Sequence, residues 1–287
     1  MDRLDIPEKA IQAFEETHHL RVTIHDLAET LSAAILKDRF QHRHTLCRCV
    51  KENAGEVNCV DLEISQLRLQ LDRFPEGRFH VCHAGFVEWV VPVFHQYEVE
   101  WVIFAGIRMP GPGLQPAFRQ RLSRWERIPW SGKSEMPPPV EEKEAQRILE
   151  NLRQLCVRLY VWAHQKDWIF SSSKEKIDSG NSLLIQRRIL IRRYIEAHHS
   201  TSIRLKDLAR ELEVSEDRAS HLIHECCGQT FREILIDVRL KMAKELLRFS
   251  SLPVLEVALA SGFTEITHFH RLFHRRVGLT PRQYRQT

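Results

Sequence analysis

The side chains in the first half of this chain best suited to chemistry are Cys47, Cys49, Cys59, Cys82 and His83, with Glu88 close behind. Thiolates and imidazoles are the ligands of zinc and of iron–sulfur centres. The spacing is Cys-x-Cys and Cys-His, not a pair of Cys-x-x-Cys knuckles. Apolar alternation over Arg43 to Lys51 predicts a strand that turns Cys47 and Cys49 to one face, where a free cysteine is a small apolar residue. Two readings stay open: a metal or redox sensor built from Cys47, Cys49, Cys59, Cys82 and His83, and a pocket lining or plain core. Glu88 and Trp89 face a similar choice. The carboxylate either accepts a hydrogen bond from a bound hydroxyl or sits exposed at a sheet edge. An enzyme acting through Cys82, His83 and Glu88 is not expected, because adjacent strand residues face opposite ways. Neither a catalytic residue nor a cofactor is implied.

The elements that must position these groups follow from periodicity. Ile6 to His19 is apolar at helical spacing through Ala10, Ile11 and Phe14. Leu20 to His25 alternates as a strand. Leu31 to Phe40 fits strand or helix. Gln66 to Phe74 predicts a helix that ends at the turn Pro75-Glu76-Gly77. Arg78 to His95 and Val99 to Met109 are two long strand-like runs joined by Gln96-Tyr97-Glu98. The expectation is an α+β unit, a small antiparallel sheet with helices on one side. A short helix is expected over Pro116 to Trp125 and an irregular proline-rich loop over Ile128 to Val140. Glu141 to Phe170 predicts a long helix. Its Ile148, Leu152, Leu155, Leu159 and Trp162 fall at heptad-like spacing, which serves either the helix's own domain or a second subunit. The polar stretch Ser171 to Ser182 is the expected domain boundary.

The second half contains one motif written twice. Asp207-Leu208-Ala209, Val214-Ser215-Glu216, Leu222-Ile223-His224 and Gly228-Gln229-Thr230 are answered by Glu256-Val257-Ala258, Phe263-Thr264-Glu265, Leu272-Phe273-His274 and Gly278-Leu279-Thr280. Each copy predicts a short helix, a turn, a polar cap (Ser215, Thr264) and an amphipathic helix, the pattern of a helix-turn-helix. The second copy carries one extra residue after its cap, so that Ala219 answers to Phe269. Leu183 to His199 predicts a preceding helix. Phe231 to Phe249 predicts a long helix joining the copies. Pro253 and Pro281 are expected at helix N1 positions, with Thr280 as the last cap.

This stretch resembles the AraC/XylS family of transcription regulators, on Leu208-Ala209, Val214-Ser215, Gly228 to Phe231, Arg239 to Ala243, Leu246-Leu247, Val257-Ala258, Gly262-Phe263, Phe269 to Phe273, Gly278 to Pro281 and Tyr284-Arg285. The resemblance implies that Asp217, Ser220 and His221 in the first copy, and Ile266, Thr267, His270 and Arg271 in the second, face the DNA groove. Arg271 suits a guanine edge or a phosphate. The family usually has a basic residue where this chain has His221, which implies weakened or retuned base reading there. His224 and His274 occupy equivalent sites in the repeat and are expected to be helix-end or phosphate-facing groups and not metal ligands. The first half resembles the PocR-type sensory domain, a ligand-binding variant of the PAS fold, on Cys47, Cys59, Cys82 to Glu88, Val91-Pro92-Val93 and Phe104-Ala105-Gly106. That implies a buried pocket for a small organic effector, with diols and similar hydrocarbon derivatives as suggested ligands. Cys47, Cys59, Cys82, His83, Glu88 and Trp89 are the candidate effector-binding residues.

Composition sets the limits. The chain of 287 residues suits more than one domain. The expected division is 1–128 as a PAS-like sensor, 129–182 as loop, connecting helix and linker, and 183–287 as an all-α domain with two helix-turn-helix motifs. The overall charge of +4 conceals an asymmetry: from Leu183 onward 18 Lys and Arg stand against 12 Asp and Glu. Excess positive charge there is what phosphate binding needs. No apolar run is long enough for a transmembrane helix, the N-terminus lacks a signal-peptide core, and an odd number of cysteines suits a reducing cytosol. The expected partners are double-stranded DNA, a small organic effector, a second copy of the chain and RNA polymerase, with no membrane.

Overall fold

A computed structural model describes residues 5–31, 34–42, 44–54, 59, 61–95, 98–115, 136–164 and 179–286. The chain divides into two compact units, Met1–Ser172 and Ser173–Thr287. The helix expected at Pro116 to Trp125, most of the proline-rich loop, the hairpin tip at 96–97, the helix beyond 164 and the linker up to 178 lie outside the described residues.

The first unit is built on an antiparallel sheet of order β1-β4-β3-β2, where β1 is Arg21–Asp26, β2 Arg78–Val81, β3 Val87–His95 and β4 Glu98–Pro110. A short β5, Pro139–Val140, pairs parallel to the end of β4. Helix α1, Asp5–His18, and helix α3, Glu142–Ala163, pack against each other, and α3 also packs on β2 and β3. The other sheet face is covered by a wide turn at Asp61–Gln66 and a tight turn at Arg68–Arg73. There Leu62, Leu67 and Leu71 close on Val90, Val102 and Phe104. The sheet is therefore sandwiched, not covered on one side as expected. The buried Arg39, 2% exposed, forks between Glu8 and Glu15 and ties the loop after β1 to α1.

Several expectations are corrected. Residues Thr45–Ala54 form helix α2, not a strand. Leu46, Cys47 and Val50 satisfy helical spacing, and they pack with Ala84, Phe86 and Ile107. Residues two apart on a helix point to opposite sides, so Cys47 and Cys49 do not share a face. Arg78 to His95 is not one run but β2 and β3, which pair antiparallel. Between them the Cys82 amide donates to Phe86 O and the Gly85 amide to Cys82 O, at 2.8 and 2.9 Å. Gly85 takes φ +93°, a conformation open to glycine. Cys82 and His83 thus lie in a tight turn, where strand alternation says nothing about them.

The second unit is helical: α4 Ser179–His198, α5 Leu205–Glu211, α6 Glu216–Cys227, α7 Phe231–Phe249, α8 Val254–Ala260, α9 Ile266–Val277 and α10 Pro281–Gln286. Helix α4 starts four residues before the expected Leu183. Pro281 does begin α10, but Pro253 is the cap before α8 and not its first residue. Ile191 and Ile195 of α4 share a core with Leu208, Ile223, Ile234 and Leu235.

The stripe on α3 is core. Ile148, Leu152, Leu155 and Leu159 are each at most 1% exposed within the single chain, and Ala145 O on the same side accepts from the Trp89 indole at 2.7 Å. This removes the motive for a dimer through that stripe. Truncating one such leucine costs about 2–5 kcal/mol, and a buried unpaired carboxylate costs more. Changing Leu152 and Leu155 together to Asp is expected to unfold the first unit, seen as loss of its cooperative melting transition in circular dichroism. A folded chain of halved mass in sedimentation would instead return the stripe to an interface.

Candidate functional site

In the second unit the paired helices recur with the same lengths. The short helices α5 and α8 are offset by 49 positions, and the longer α6 and α9 by 50. The extra residue therefore lies in the turn, before the cap and not after it. Ser215 caps α6, its hydroxyl accepting from the Arg218 amide at 3.3 Å. The residue in the cap position of α9 is Glu265, not Thr264, and its side chain makes no capping bond.

Both turns need one left-handed residue. Gly262 supplies it at φ +87°, and Glu213 occupies the matching position at φ +54°. At Gly262 there is a further demand. A Cβ there would sit 2.2 Å from His199 O and 2.8 Å from Arg239 Nε. The same Arg239 Nε donates to His199 O, and its Nη2 donates to Thr201 O, each at 2.9 Å. Arg239 thereby fastens the middle of α7 to the end of α4 beside the second turn.

The apolar positions of each second helix are inward. Ala219, Leu222 and Ile223 are buried in α6; Phe269, Leu272 and Phe273 are buried in α9. The residues that the resemblance assigns to the groove lie elsewhere on these helices. Asp217, Ser220, His221, Thr267, His270 and Arg271 are exposed, and Ile266 is half-buried. The His221 Nδ1 donates to Asp217 O at 2.7 Å, so a neutral ring presents Nε2 as an acceptor. Arg271 has no ion-pair partner among the described residues. Nearby, Arg276 approaches Asp237 of α7 at 3.8 Å, and Gln229 donates to the same carboxylate at 2.8 Å. His224 and His274 are exposed, and their carbonyls accept from the amides of Gly228 and Gly278 that end α6 and α9. Sequence reasoning passed over Arg275, also exposed on α9. The two helices differ in charge: α6 carries Glu216, Asp217 and Glu225 against Arg218, while α9 carries Arg271, Arg275 and Arg276 and no acid.

The first unit holds a buried polar cluster. Glu88, only 2% exposed, lies on the central strand β3 and not at an edge. Its Oε1 is 3.1 Å from His42 Nδ1, and its Oε2 is 3.7 Å from His80 Nε2. On the far side of the His42 ring, Nε2 is 3.5 Å from Glu63 Oε2, and His25 Nε2 is 4.0 Å from that same oxygen. Burial pushes the Glu88 carboxyl up, but His42, His80 and His83 outweigh it and hold it below the usual range. Burial pushes His42 down, but Glu63 and Glu88 on either side raise it on balance. His25 is driven well below the usual imidazole value, first by burial and then by His42.

Of the expected effector residues, Cys59 and His83 meet directly, Sγ to Nε2 at 3.7 Å. Cys47, Cys59 and Cys82 share this neighbourhood. Burial first, with the charges of Glu63 and Glu88 beside it, pushes all three thiols up, Cys82 to about 12. His83 lies against Cys59 and Glu88 against His42, while Cys82 and His83 both lie within reach of the Glu88 charge. The geometry does not bring Trp89 in. It follows Glu88 on β3, so it takes the opposite sheet face, toward α3. Among the described residues the only groups of three ligand atoms within 4.8 Å of one another are His25–His42–Glu63 and His95–Glu100–His164, and no cysteine belongs to either. Sequence reasoning missed His25, His42, Glu63 and His80. They are spread over more than fifty positions on separate elements, so no local motif marks them.

Residues 208–287 match a helix-turn-helix domain model. The regulatory protein PocR of Salmonella typhimurium is 33% identical over 226 residues, which cover 76% of this chain and 74% of that protein. That span exceeds the second unit and so extends into the first. An uncharacterized HTH-type transcriptional regulator of Escherichia coli K12, YijO, is 34% identical over 96 residues, 33% of this chain and 34% of its own length. The HTH-type transcriptional activator RhaS of Shigella boydii is 26% identical over 152 residues, 48% of this chain and 55% of its own length. The chain thus spans about a third and about half of these last two relatives.

The matched turns give a paired test. A Cβ in left-handed backbone costs about 1–2 kcal/mol, and at Gly262 it also meets a backbone carbonyl. Gly262→Ala is expected to destabilise the second unit by more than that, read from its urea midpoint. Glu213→Gly, at the equivalent turn, is expected to raise the midpoint. Equal effects of the two substitutions would show that the close approach to His199 carries no weight.

Proposed function

Because the chain belongs to the AraC family of transcription regulators, with an AraC-type DNA-binding domain at its C-terminus, we propose that it is effector-responsive and that both helix pairs of its second unit read DNA. In this reading α6 and α9 are the recognition helices, and Asp217, Ser220, His221, Ile266, Thr267, His270 and Arg271 are the groove-facing residues. The observation that carries it is the duplicated placement of an apolar inner face and an exposed polar outer face on helices of equal length. The 19-residue α7 between the copies spans roughly 28 Å at 1.5 Å per residue. That suits successive major grooves on one side of a duplex, about 34 Å apart.

The first unit, residues 1–128 at its heart, is in this proposal a PAS-like sensor. Its support is topological: a strand, then short helices, then a three-strand run whose last member returns to pair with the first. Small organic effectors, short diols among them, would bind beside Cys47, Cys59, Cys82, His83 and Glu88. Residues 129–182 would connect sensor and reader, with 183–287 as the reader. Among the described residues no helix is long and apolar enough to cross a membrane.

The charge contrast makes α9 the stronger DNA-binding element. Selection from random duplexes is expected to return a preferred sequence. Arg271→Ala should then cost about 1–3 kcal/mol at that sequence, through loss of a bidentate base contact, with a smaller effect on random DNA. Ser220→Ala and His221→Ala in α6 should cost less. An equal loss for Arg271→Ala on all duplexes would make it a phosphate contact. No preferred sequence in the selection would overturn the reading of α6 and α9 as sequence readers.

A further inference from the structure

We infer that His25, His42 and Glu63 form a binding site for one divalent first-row transition ion in the first unit, oriented from behind by Glu88. The three donors come from separate elements: β1, the loop before α2 and the wide turn at Asp61–Gln66. They converge over the buried ring of Phe104, whose centroid lies 4.9 Å from that of His25 and 5.1 Å from that of His42.

The separations are those of ligands around an ion more than those of direct hydrogen bonds. Glu63 Oε2 lies 3.5 Å from His42 Nε2 and 4.0 Å from His25 Nε2. Metal bonds of about 2.0–2.1 Å in tetrahedral geometry place neighbouring donors roughly 3.3 Å apart, so a small inward shift closes the site. His42 has the second feature such a site needs. With Nε2 toward Glu63, its Nδ1 lies 3.1 Å from the Glu88 carboxylate. A ligating imidazole commonly gives its other N–H to a carboxylate, which fixes the tautomer and raises its basicity. His80, 3.7 Å from the other Glu88 oxygen, steadies that carboxylate in turn.

Glu63 and Glu88 are two carboxylates with His42 between them, and the Phe104 ring packs against that imidazole. Imidazole donors select zinc, iron, nickel or copper over magnesium and calcium. Three protein donors leave a coordination position for water or for an oxygen-bearing molecule. The His95–Glu100–His164 group is a weaker candidate, because its atoms already serve one another. Glu100 takes the Thr30 hydroxyl at 2.6 Å and His164 at 2.8 Å, and His95 meets the Tyr160 hydroxyl at 2.9 Å.

This inference goes beyond the sensor proposal, since the ion would be held whether or not an organic effector binds. The test uses the full chain, stripped with a chelator, then equilibrated with Zn²⁺ or Co²⁺ and desalted. One ion per chain is expected by elemental analysis. The Co²⁺ form should show visible ligand-field bands without the near-ultraviolet charge transfer of a thiolate ligand. Glu63→Gln and His25→Gln should each abolish stoichiometric binding. Glu88→Gln should weaken it by about 10–100-fold, the usual effect of losing an outer carboxylate. Less than a tenth of an ion per unaltered chain would overturn the site, and so would a thiolate band or full binding by Glu63→Gln. The spectrum of the unaltered protein decides the matter even where a variant does not fold.

Discussion

Two carboxylates facing each other inside an apolar shell are the constraint on which the first unit turns. Glu63 and Glu88 lie on the sheet face that Leu62, Leu67, Val90, Val102 and Phe104 make hydrophobic. Unpaired, each would cost several kcal/mol in such surroundings. His42 stands between them and draws a contact from each. Its loop must therefore stay against the sheet, although its sequence shows no regular period. The same requirement holds the wide turn at Asp61–Gln66 over β3 and β4, because Glu63 is carried there. A polar requirement at the centre thus fixes the placement of segments whose own propensity would leave them undecided. The opposite sheet face is held by a different force, close packing of α3 through Leu152, Leu155 and Trp89.

The second unit is organised by α7. Asp237 accepts from Gln229, at the end of the first helix pair, and approaches Arg276, at the end of the second. Arg239 reaches back to His199 and Thr201. Contacts from one helix thereby reach both pairs, and α7's length sets their spacing. Caps then fix where each segment begins. Thr230 and Glu233 exchange hydrogen bonds at the start of α7, as Thr280 and Gln283 do at the start of α10. Such reciprocal caps satisfy amides that the helix itself leaves unpaired.

Where the sequence repeats itself, the fold was legible. Apolar pairs such as Leu222-Ile223 and Leu272-Phe273 mark helices by period and are marked again by duplication, so their burial follows. The slip came at Thr264, where residue preference for a cap competed with helix length. Equal helices of twelve residues set the start at Ile266, and the inserted residue went into the turn. In the first unit only single-element patterns could be read. Leu46, Cys47, Cys49 and Val50 fit period two nearly as well as 3.6 over so short a window, and packing on Phe86 and Ile107 decided for the helix. The break inside Arg78 to His95 depended on Gly85, one residue in an otherwise continuous apolar run. His25, His42 and Glu63 lay beyond reach for another reason. Nothing local relates a strand histidine, a loop histidine and a turn glutamate until the sheet has brought them together.

Helices α6 and α9 show how a duplicated scaffold can carry unequal surfaces. Burial of Ala219, Leu222 and Ile223 in one, and of Phe269, Leu272 and Phe273 in the other, fixes the same outward arc on both. What fills that arc is not constrained by packing and has diverged. In α9 it holds three arginines and no acid; in α6 acids outnumber the single arginine. A phosphate backbone attracts the first and repels the second, and each neutralised phosphate adds about −0.9 to the salt-dependence slope. Aromatic packing reinforces the contrast, since Phe269 and Phe273 pack at a tilt of 58° with centroids 5.5 Å apart and Phe273 meets Tyr284 edge-on at 5.6 Å. Helix α9 thus combines an aromatic footing with the larger positive charge. Helix α6, with His221 folded back on Asp217, has no comparable excess of positive charge.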